Sequence, residues 1–227
     1  MNELAPALSI IMPVFNEATH LPASLRALQP LRQQGCELII VDGGSQDESA
    51  AIAQAWADVS LQSAKGRALQ MNAGAAAARG EYLLFLHADT QLPPALSVAH
   101  LLQSQPSWGF FKVQLNSRKS LLPWVQALIN LRSGLTSVAT GDQSIFVQRQ
   151  LFIELGGYPA ISLMEDVALC KQLRRRARPS IVPQPVLTSS RRWLQRGVIK
   201  TIALMWLLRL GYFLKFSPRL LHRLYYG

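Results

Sequence analysis

Asp89 closes the stretch Tyr82-Leu-Leu-Phe-Leu86, His87, Ala88, Asp89. Five consecutive apolar residues suit a strand buried on both faces, as in the middle of a parallel sheet. A carboxylate where such a strand emerges can hold a hard divalent cation, and the cation can hold phosphates. Its competing role is to cap a following helix, since Pro93 and Pro94 suit first helical positions. Glu17 follows the apolar run Leu8–Met12, and Asp42 follows Leu38–Val41, so three acids stand at three strand ends. Acids gathered on one edge repel unless a cation or donor groups hold them. A further pair, Glu165-Asp166, opens the helical pattern Val167–Arg176. Such a pair complements the helix N-terminus. No cluster of His and Cys at zinc-ligand spacing occurs in the sequence.

Short apolar runs that end in acidic or Gly/Pro turns, with helical patterns between them, predict repeated β-α units with one functional edge. Gly43 and Gly44 let backbone approach a ligand. Ser45-Gln-Asp-Glu48 fits a helix capping box. Lys65-Gly-Arg67 leads into a helix whose cationic first turn can receive an anion, with Gln70 one turn later on the same face. Trp108–Leu115 reads as a strand, Leu121–Leu135 as an amphipathic helix interrupted near Pro123, and Ser144–Val147 as another short strand. Asp142 and Gln143 precede that last strand in a polar turn, and Gly156-Gly157-Tyr158-Pro159 forms a turn that can close over a site.

The chain of 227 residues suffices for one α/β domain and a short appendage. Cys36 and Cys170 read as small buried apolar residues, as in a reducing cytoplasm. The N-terminus lacks the basic start and apolar run of a signal peptide. Charge divides the chain: residues 1–166 carry 10 Lys/Arg and 13 Asp/Glu (−3), and residues 167–227 carry 13 Lys/Arg and no acid (+13). Anionic lipid and nucleic acid are the usual partners of such a segment. Val198–Phe216 is very apolar, but Lys200, Arg209 and Lys215 break it into runs too short to span a bilayer. A helix lying in the membrane surface fits it, and so does a helix packed on the core or on a second copy.

Pro13-Val-Phe-Asn-Glu17, Val41-Asp-Gly-Gly-Ser-Gln-Asp47, His87-Ala-Asp89, Gly141-Asp-Gln-Ser-Ile-Phe146, Leu155-Gly-Gly-Tyr158 and Met164-Glu-Asp166, in that order, resemble the family 2 glycosyltransferases. Within them the set resembles a bacterial branch tied to arsenosugar biosynthesis and to radical-SAM and selenoprotein neighbours. The resemblance implies an α/β GT-A (nucleotide-diphosphosugar transferase) fold with a mostly parallel central sheet flanked by helices. It implies a catalytic domain over 1–190, with a donor half over 1–105 and an acceptor half over 106–190, and basic amphipathic helices over 191–227. The activity it implies is inverting, metal-dependent transfer from a UDP- or GDP-sugar to a hydroxyl acceptor, with Asp166 as general base and Asp89 holding Mn2+ or Mg2+.

The donor side is then Pro13, Phe15, Glu17, Asp42, Gly43, Arg67, Gln70, His87 and Ala88; the acceptor side is Asp142, Gln143, Glu165, Arg192 and Trp193. His87 replaces the first acid of the Asp-x-Asp found in many relatives, so it either ligates weakly, bonds a donor hydroxyl or lines the site. The acceptor is a small metabolite as in arsenosugar-type biosynthesis or, alternatively, a lipid or polyprenyl phosphate. The protein is expected in the cytoplasm, with peripheral contact to the anionic inner face of the cell membrane and no nucleic-acid partner. A nucleotidyltransferase would carry a Gly-rich basic signature at the first strand end, which Pro13–Glu17 is not. A non-catalytic membrane- or nucleic-acid-binding protein would use the +13 segment but leaves Asp89, Asp142 and Asp166 unexplained.

Overall fold

A computed structural model describes residues 5–119 and 121–226. Its sheet contains β1 (Leu8–Val14), β2 (Glu37–Asp42), β3 (Val59–Gln62), β4 (Tyr82–Phe85), β5 (Thr90–Gln91), β6 (Trp108–Leu115), β7 (Ile145–Gln148) and β8 (Ser180–Thr188), in the spatial order β3-β2-β1-β4-β7-β6-β8-β5. The β3-β2-β1-β4 half is parallel. Antiparallel β7 then joins β4 to β6, β8 returns parallel to β6, and β5 closes the edge antiparallel to β8. The sheet is therefore mixed where a mostly parallel one was expected: its parallel character belongs to the first half.

Alternation along the strands fills two core layers. Ile11, Ile39, Val41, Leu83 and Phe85 face α3 (Arg67–Ala77), α6 (Arg149–Glu154) and α7 (Glu165–Arg176). Leu8, Ile10, Met12, Leu38, Ile40 and Leu84 face α1 (Leu21–Gln33), α2 (Ser49–Trp56) and α4 (Val98–Leu102). All five residues of Tyr82–Leu86 are buried, as a strand covered on both faces requires. Gly74 of α3 crosses β1 so closely that an added Cβ would lie 2.5 Å from Ile11 Cγ2. Cys36 and Cys170 are free and buried, and burial pushes their thiols up to about 11 and about 12.

Three expectations change. Pro123 occupies the first turn of α5 (Leu122–Thr136), where its missing N–H costs nothing, so it starts that helix and does not interrupt it. Ser45 caps no helix: α2 begins only at Ser49, and Ser45 Oγ instead accepts from Asn16 N–H and donates to Asp42. β8, unanticipated because it contains Pro183 and Pro185, pairs with β6 up to Val182 and again from Val186. Both prolines fall in the irregular interval between, where no ladder hydrogen bond is lost.

The chain ends in three helices, α8 (Arg191–Arg196), α9 (Val198–Phe213) and α10 (Pro218–Tyr226). Leu208 of α9 and Leu221 of α10 enter the core layer beside α7. Among the described residues no helix is long and apolar enough to cross a membrane.

Candidate active site

The parallel ladder brings the carboxyl ends of β1, β2 and β4 to one edge, so Glu17, Asp42 and Asp89 emerge on the same side of the sheet. Their fates differ. Asp42 is buried, and one carboxylate oxygen accepts 2.9 Å bonds from the N–H groups of Gly44 and Ser45 while the other accepts from Ser45 Oγ. These three bonds shape the loop. Gly43 N–H donates to Val14 O at 2.9 Å, and a Cβ on Gly43 would lie 3.1 Å from the Gln70 amide. Asp42 and Gly43 stand at the strand end next to the cavities, outside their walls.

Glu17 and Asp89 remain available. Burial, then the charge of Asp89, pushes the Glu17 carboxyl up; Arg191, His20 and Arg67 partly offset this. Ser24 of α1 fixes the Asp89 segment by donating to Ala88 O at 2.7 Å. Thr90 N–H bonds back to His87 O at 3.0 Å, and Thr90 Oγ1 meets Thr188 Oγ1 at 2.9 Å.

A cavity of about 810 Å³ lies over this edge, lined by Pro13, Phe15, Glu17, Arg67, Ala88 and Asp89 among others. Lys65 Nζ sits 3.8 Å from the centre of the Phe15 ring, a cation–π contact that presents positive charge there. Gln70 reaches the cavity wall, but its buried amide donates to Val14 O (2.8 Å) and Val41 O (2.9 Å). It ties the ends of β1 and β2 together and so positions the donor side.

A second cavity, about 370 Å³, adjoins the first; both share Arg67, His87, Asp89, Glu165 and Arg192. Asp142, Asp166 and Trp193 line only the second. Asp166 opens α7, its Oδ2 accepting from Gly141 N–H at 2.8 Å and its Oδ1 from Val167 N–H at 2.6 Å. These two donors aim the carboxylate. Met164, immediately before the helix, takes φ 69°, a left-handed turn that swings Glu165 inward. Glu165 is buried; desolvation, then the charge of Asp166, pushes its carboxyl up, with Arg67 and His87 opposing.

Gly141 and Asp142 belong to a single 3-10 turn, Gly141–Gln143. The His87 ring lies against Gly141, where an added Cβ would be 2.6 Å from Nε2. His87 Nδ1 faces Asp142 Oδ1 at 3.4 Å. The Asp142 side chain is 54% exposed at the cavity wall; desolvation by its neighbours works to raise the carboxyl, but the hydrogen bond and charge of His87, with Arg67 and Arg192, outweigh it and hold the group below its usual range. His87 Nδ1 thus points to Asp142, while the ring lines both cavities together with Asp89. Among the described residues no group of three or more His, Cys, Asp or Glu could hold a metal ion. Gln143 is a correction: it is fully buried, donates to Phe111 O (3.2 Å) and Ser133 Oγ (2.9 Å), and closes the cap on Thr140, so it supports the turn from behind.

The Gly156–Tyr158 turn is pinned too, because Asn72 donates to Tyr158 O at 2.8 Å and accepts from Tyr158 N–H at 2.9 Å. Residues not singled out from the sequence, Arg191, Arg196 and Arg209, also line the smaller cavity. The legible signal was Arg209, a lone charge within the apolar run Thr201–Leu210. At the opposite end of the parallel strands a cleft of about 740 Å³ holds Arg32, Asp58, Glu37 and Arg79. There Arg32 pairs with Asp58 and Arg79 with Glu37, so its charges are already used.

Residues 9–105 match the model of glycosyl transferase family 2, so this segment is similar to the domain of that family. It is 33% identical over 148 residues to the undecaprenyl-phosphate 4-deoxy-4-formamido-L-arabinose transferase of Pseudomonas fluorescens, a match covering 59% of this chain and 44% of that protein. The chain therefore spans under half the length of that relative. Among solved structures, S. aureus TarS (residues 1–349) superposes with a TM-score of 0.65 at 18% identity, covering 81% of this chain and 60% of that one. The Pyrobaculum calidifontis mannosyltransferase PcManGT, solved with GDP-Man and Mn2+, gives 0.60 at 20% identity over 82% and 57%. These likenesses establish the GT-A fold.

Proposed function

We propose that the chain transfers a sugar, with inversion, from a nucleotide-diphosphosugar to a hydroxyl acceptor. The observation that carries this is the meeting of two cavities at Asp89, one holding Phe15, Glu17 and Lys65, the other Asp142 and Asp166. The larger takes the donor: Phe15 and Lys65 offer it an apolar face and a charge, and Arg67 an anion contact. TarS and PcManGT, each solved on this fold, and the GDP-Man of the latter support a donor of this class.

Asp89 is the residue that would hold Mg2+ or Mn2+. After burial, the charge of Asp89 adds to the upward shift of the Glu17 carboxyl, and a cation between the two would relieve that repulsion. When bound, the ion neutralises charge building on the departing diphosphate. Mn2+ in PcManGT supports this choice of cofactor.

Asp166, aimed by the Gly141 and Val167 N–H groups, takes the proton of the acceptor hydroxyl. The hydroxyl oxygen attacks the anomeric carbon from the face opposite the diphosphate. The carbon–oxygen bond to the diphosphate breaks, and the leaving group keeps the electron pair. No covalent sugar–protein intermediate is required. Glu165 and Arg192, on the wall shared by both cavities, contact the acceptor or donor where they meet, and Trp193 closes the acceptor side.

The branch resemblance makes the acceptor a small metabolite of arsenosugar type. A second reading, a lipid or polyprenyl phosphate acceptor, is favoured by the arginines. Arg192, Arg196 and Arg209 line the Asp166 cavity, and behind it Arg132 has a buried Nε and Nη2 without a hydrogen-bond partner. The similarity to an undecaprenyl-phosphate sugar transferase supports this second reading, as it supports contact with the inner face of a membrane. The test uses radiolabelled UDP- and GDP-sugars with lipid and small-molecule extracts. Label entering the organic phase assigns a lipid acceptor, and label in an aqueous product assigns a metabolite. Asp166→Asn should lower transfer to a hydroxyl acceptor by about 10²–10⁴-fold with donor affinity kept. Undiminished transfer by that variant contradicts the assignment of the base.

A further inference from the structure

Two apolar helix faces have no partner within the chain. On α5, Trp124 (72% exposed), Leu128, Leu131 and Leu135 (77%) stand in solvent; on α9, Ile199, Trp206 (74%), Leu210 and Phe213 (75%) do the same. At 100° per residue each set of four falls within an arc of roughly 60° on its helix. Contiguous apolar stripes of this size on a protein surface mark an interaction site.

The two stripes form one surface. Val198 and Ile202 of α9 pack against the Leu115–Leu122–Val125 cluster, as does Ile129 of α5, so the N-terminal halves of the two helices meet. In the C-terminal halves Arg132 of α5 feels the charge of Arg209 of α9. The helices therefore run in the same direction. On α5 the seam residues Val125, Ile129 and Arg132 lie about 100° round from the stripe in one rotational sense; on α9 Val198, Ile202 and Arg209 lie about 70° round in the other. Offsets of opposite sense on parallel neighbours turn both stripes to the same side.

Charge selects the occupant. Exposed cations border this surface: Arg118 and Lys119 precede α5, Arg196 precedes α9, Lys200 lies on it, and Lys215 and Arg219 follow it. Residues 167–227 contain 13 Lys/Arg and no acid, and α5 contains no acid either. A symmetric pair of chains joined here would bring two such segments together without a counter-charge. An anionic bilayer supplies the counter-charge and an apolar phase for the stripes, with Trp124 and Trp206 suited to the headgroup level. We propose that α5 and α9 together dock the protein in the plane of an anionic lipid surface. The site is independent of the transfer chemistry. Its new element is α5, which lies in the acceptor half, far in sequence from the basic C-terminal segment.

The test is flotation of the full chain with vesicles of phosphatidylcholine alone or mixed with phosphatidylglycerol. The wild type should float with the mixed vesicles and largely not with the neutral ones. Raising salt to about 0.5 M, which shortens screening to a few ångströms, should release it. Trp124→Glu, and Trp124→Ser without added charge, should each partition at least about tenfold more weakly, and Trp206→Glu likewise, with circular dichroism melts unchanged. Wild-type-like flotation of both Trp124 variants would remove α5 from the surface. Failure of the wild type to float with either vesicle, or a lipid-free dimer in sedimentation that Trp124→Ser dissociates, overturns the proposal.

Discussion

Gly141 is the tightest point of the site, and adding one methyl group there should show whether His87, Asp142 and Asp166 act as one assembly. In Gly141→Ala the new Cβ would lie 2.6 Å from His87 Nε2, where ordinary contact begins near 3.4 Å. The His87 ring is 8% exposed, and a swing toward the adjoining cavities would take it away from Asp142. Overpacking of this kind costs about 1–3 kcal/mol. If the turn shifts instead, the 2.8 Å bond from Gly141 N–H to the Asp166 carboxylate is lost, about 1.5–3 kcal/mol for a bond to a charged group. At about 2–4 °C per kcal/mol for a domain of this length, either loss lowers the melting temperature by roughly 2–12 °C. His87→Ala in the same chain removes the obstruction. Thermal and urea unfolding of the wild type, both single variants and the double variant close a cycle, with an expected coupling of about 0.5–3 kcal/mol in the rescuing direction. A Gly141→Ala protein that melts with the wild type, or a strictly additive double variant, would refute the packing argument.

Two other outcomes follow from the same geometry. The folded-state pKa of Glu165 is raised, so as pH rises above the ordinary glutamate value of 4.5 the unfolded chain loses its proton first and this residue lowers stability until its folded pKa is passed. Glu165→Gln should accordingly stabilise at neutral pH and give no gain below pH 4.5; urea midpoints at both pH values check this, and a gain confined to acid contradicts it. Gln70→Leu removes the 2.9 Å donor of Val41 O and leaves Val14 O with only its bond from Gly43 N–H, which should cost about 1–3 kcal/mol. A urea midpoint equal to that of the wild type would show that Gln70 does not tie the strand ends.

Much of the site was legible because parallel-strand ends have a simple code. Continuous apolar runs ended where Glu17, Asp42 and Asp89 begin, and the helix after Glu165-Asp166 followed its pattern. Sequence could not show how each polar side chain spends its hydrogen bonds. Asp42, Gln70 and Gln143 carry the residue types of ligand contacts, yet their partners are backbone groups of the loops they brace. Nor could it show β8, whose prolines forbid a regular ladder and are tolerated only in the irregular interval opposite β6. Arg132 and Arg209 lie 77 positions apart in the chain, and only helix packing brings their charges together.

Calorimetric titration of UDP, GDP and their sugars, with and without Mn2+, on wild type and Asp89→Asn tests the central claim most directly. The account predicts that one nucleotide binds more tightly with Mn2+ and that Asp89→Asn abolishes that enhancement while melting like the wild type. Binding that ignores Mn2+ or survives Asp89→Asn unchanged would contradict Asp89 as the cation holder. Binding of no nucleotide at all would contradict the donor site itself.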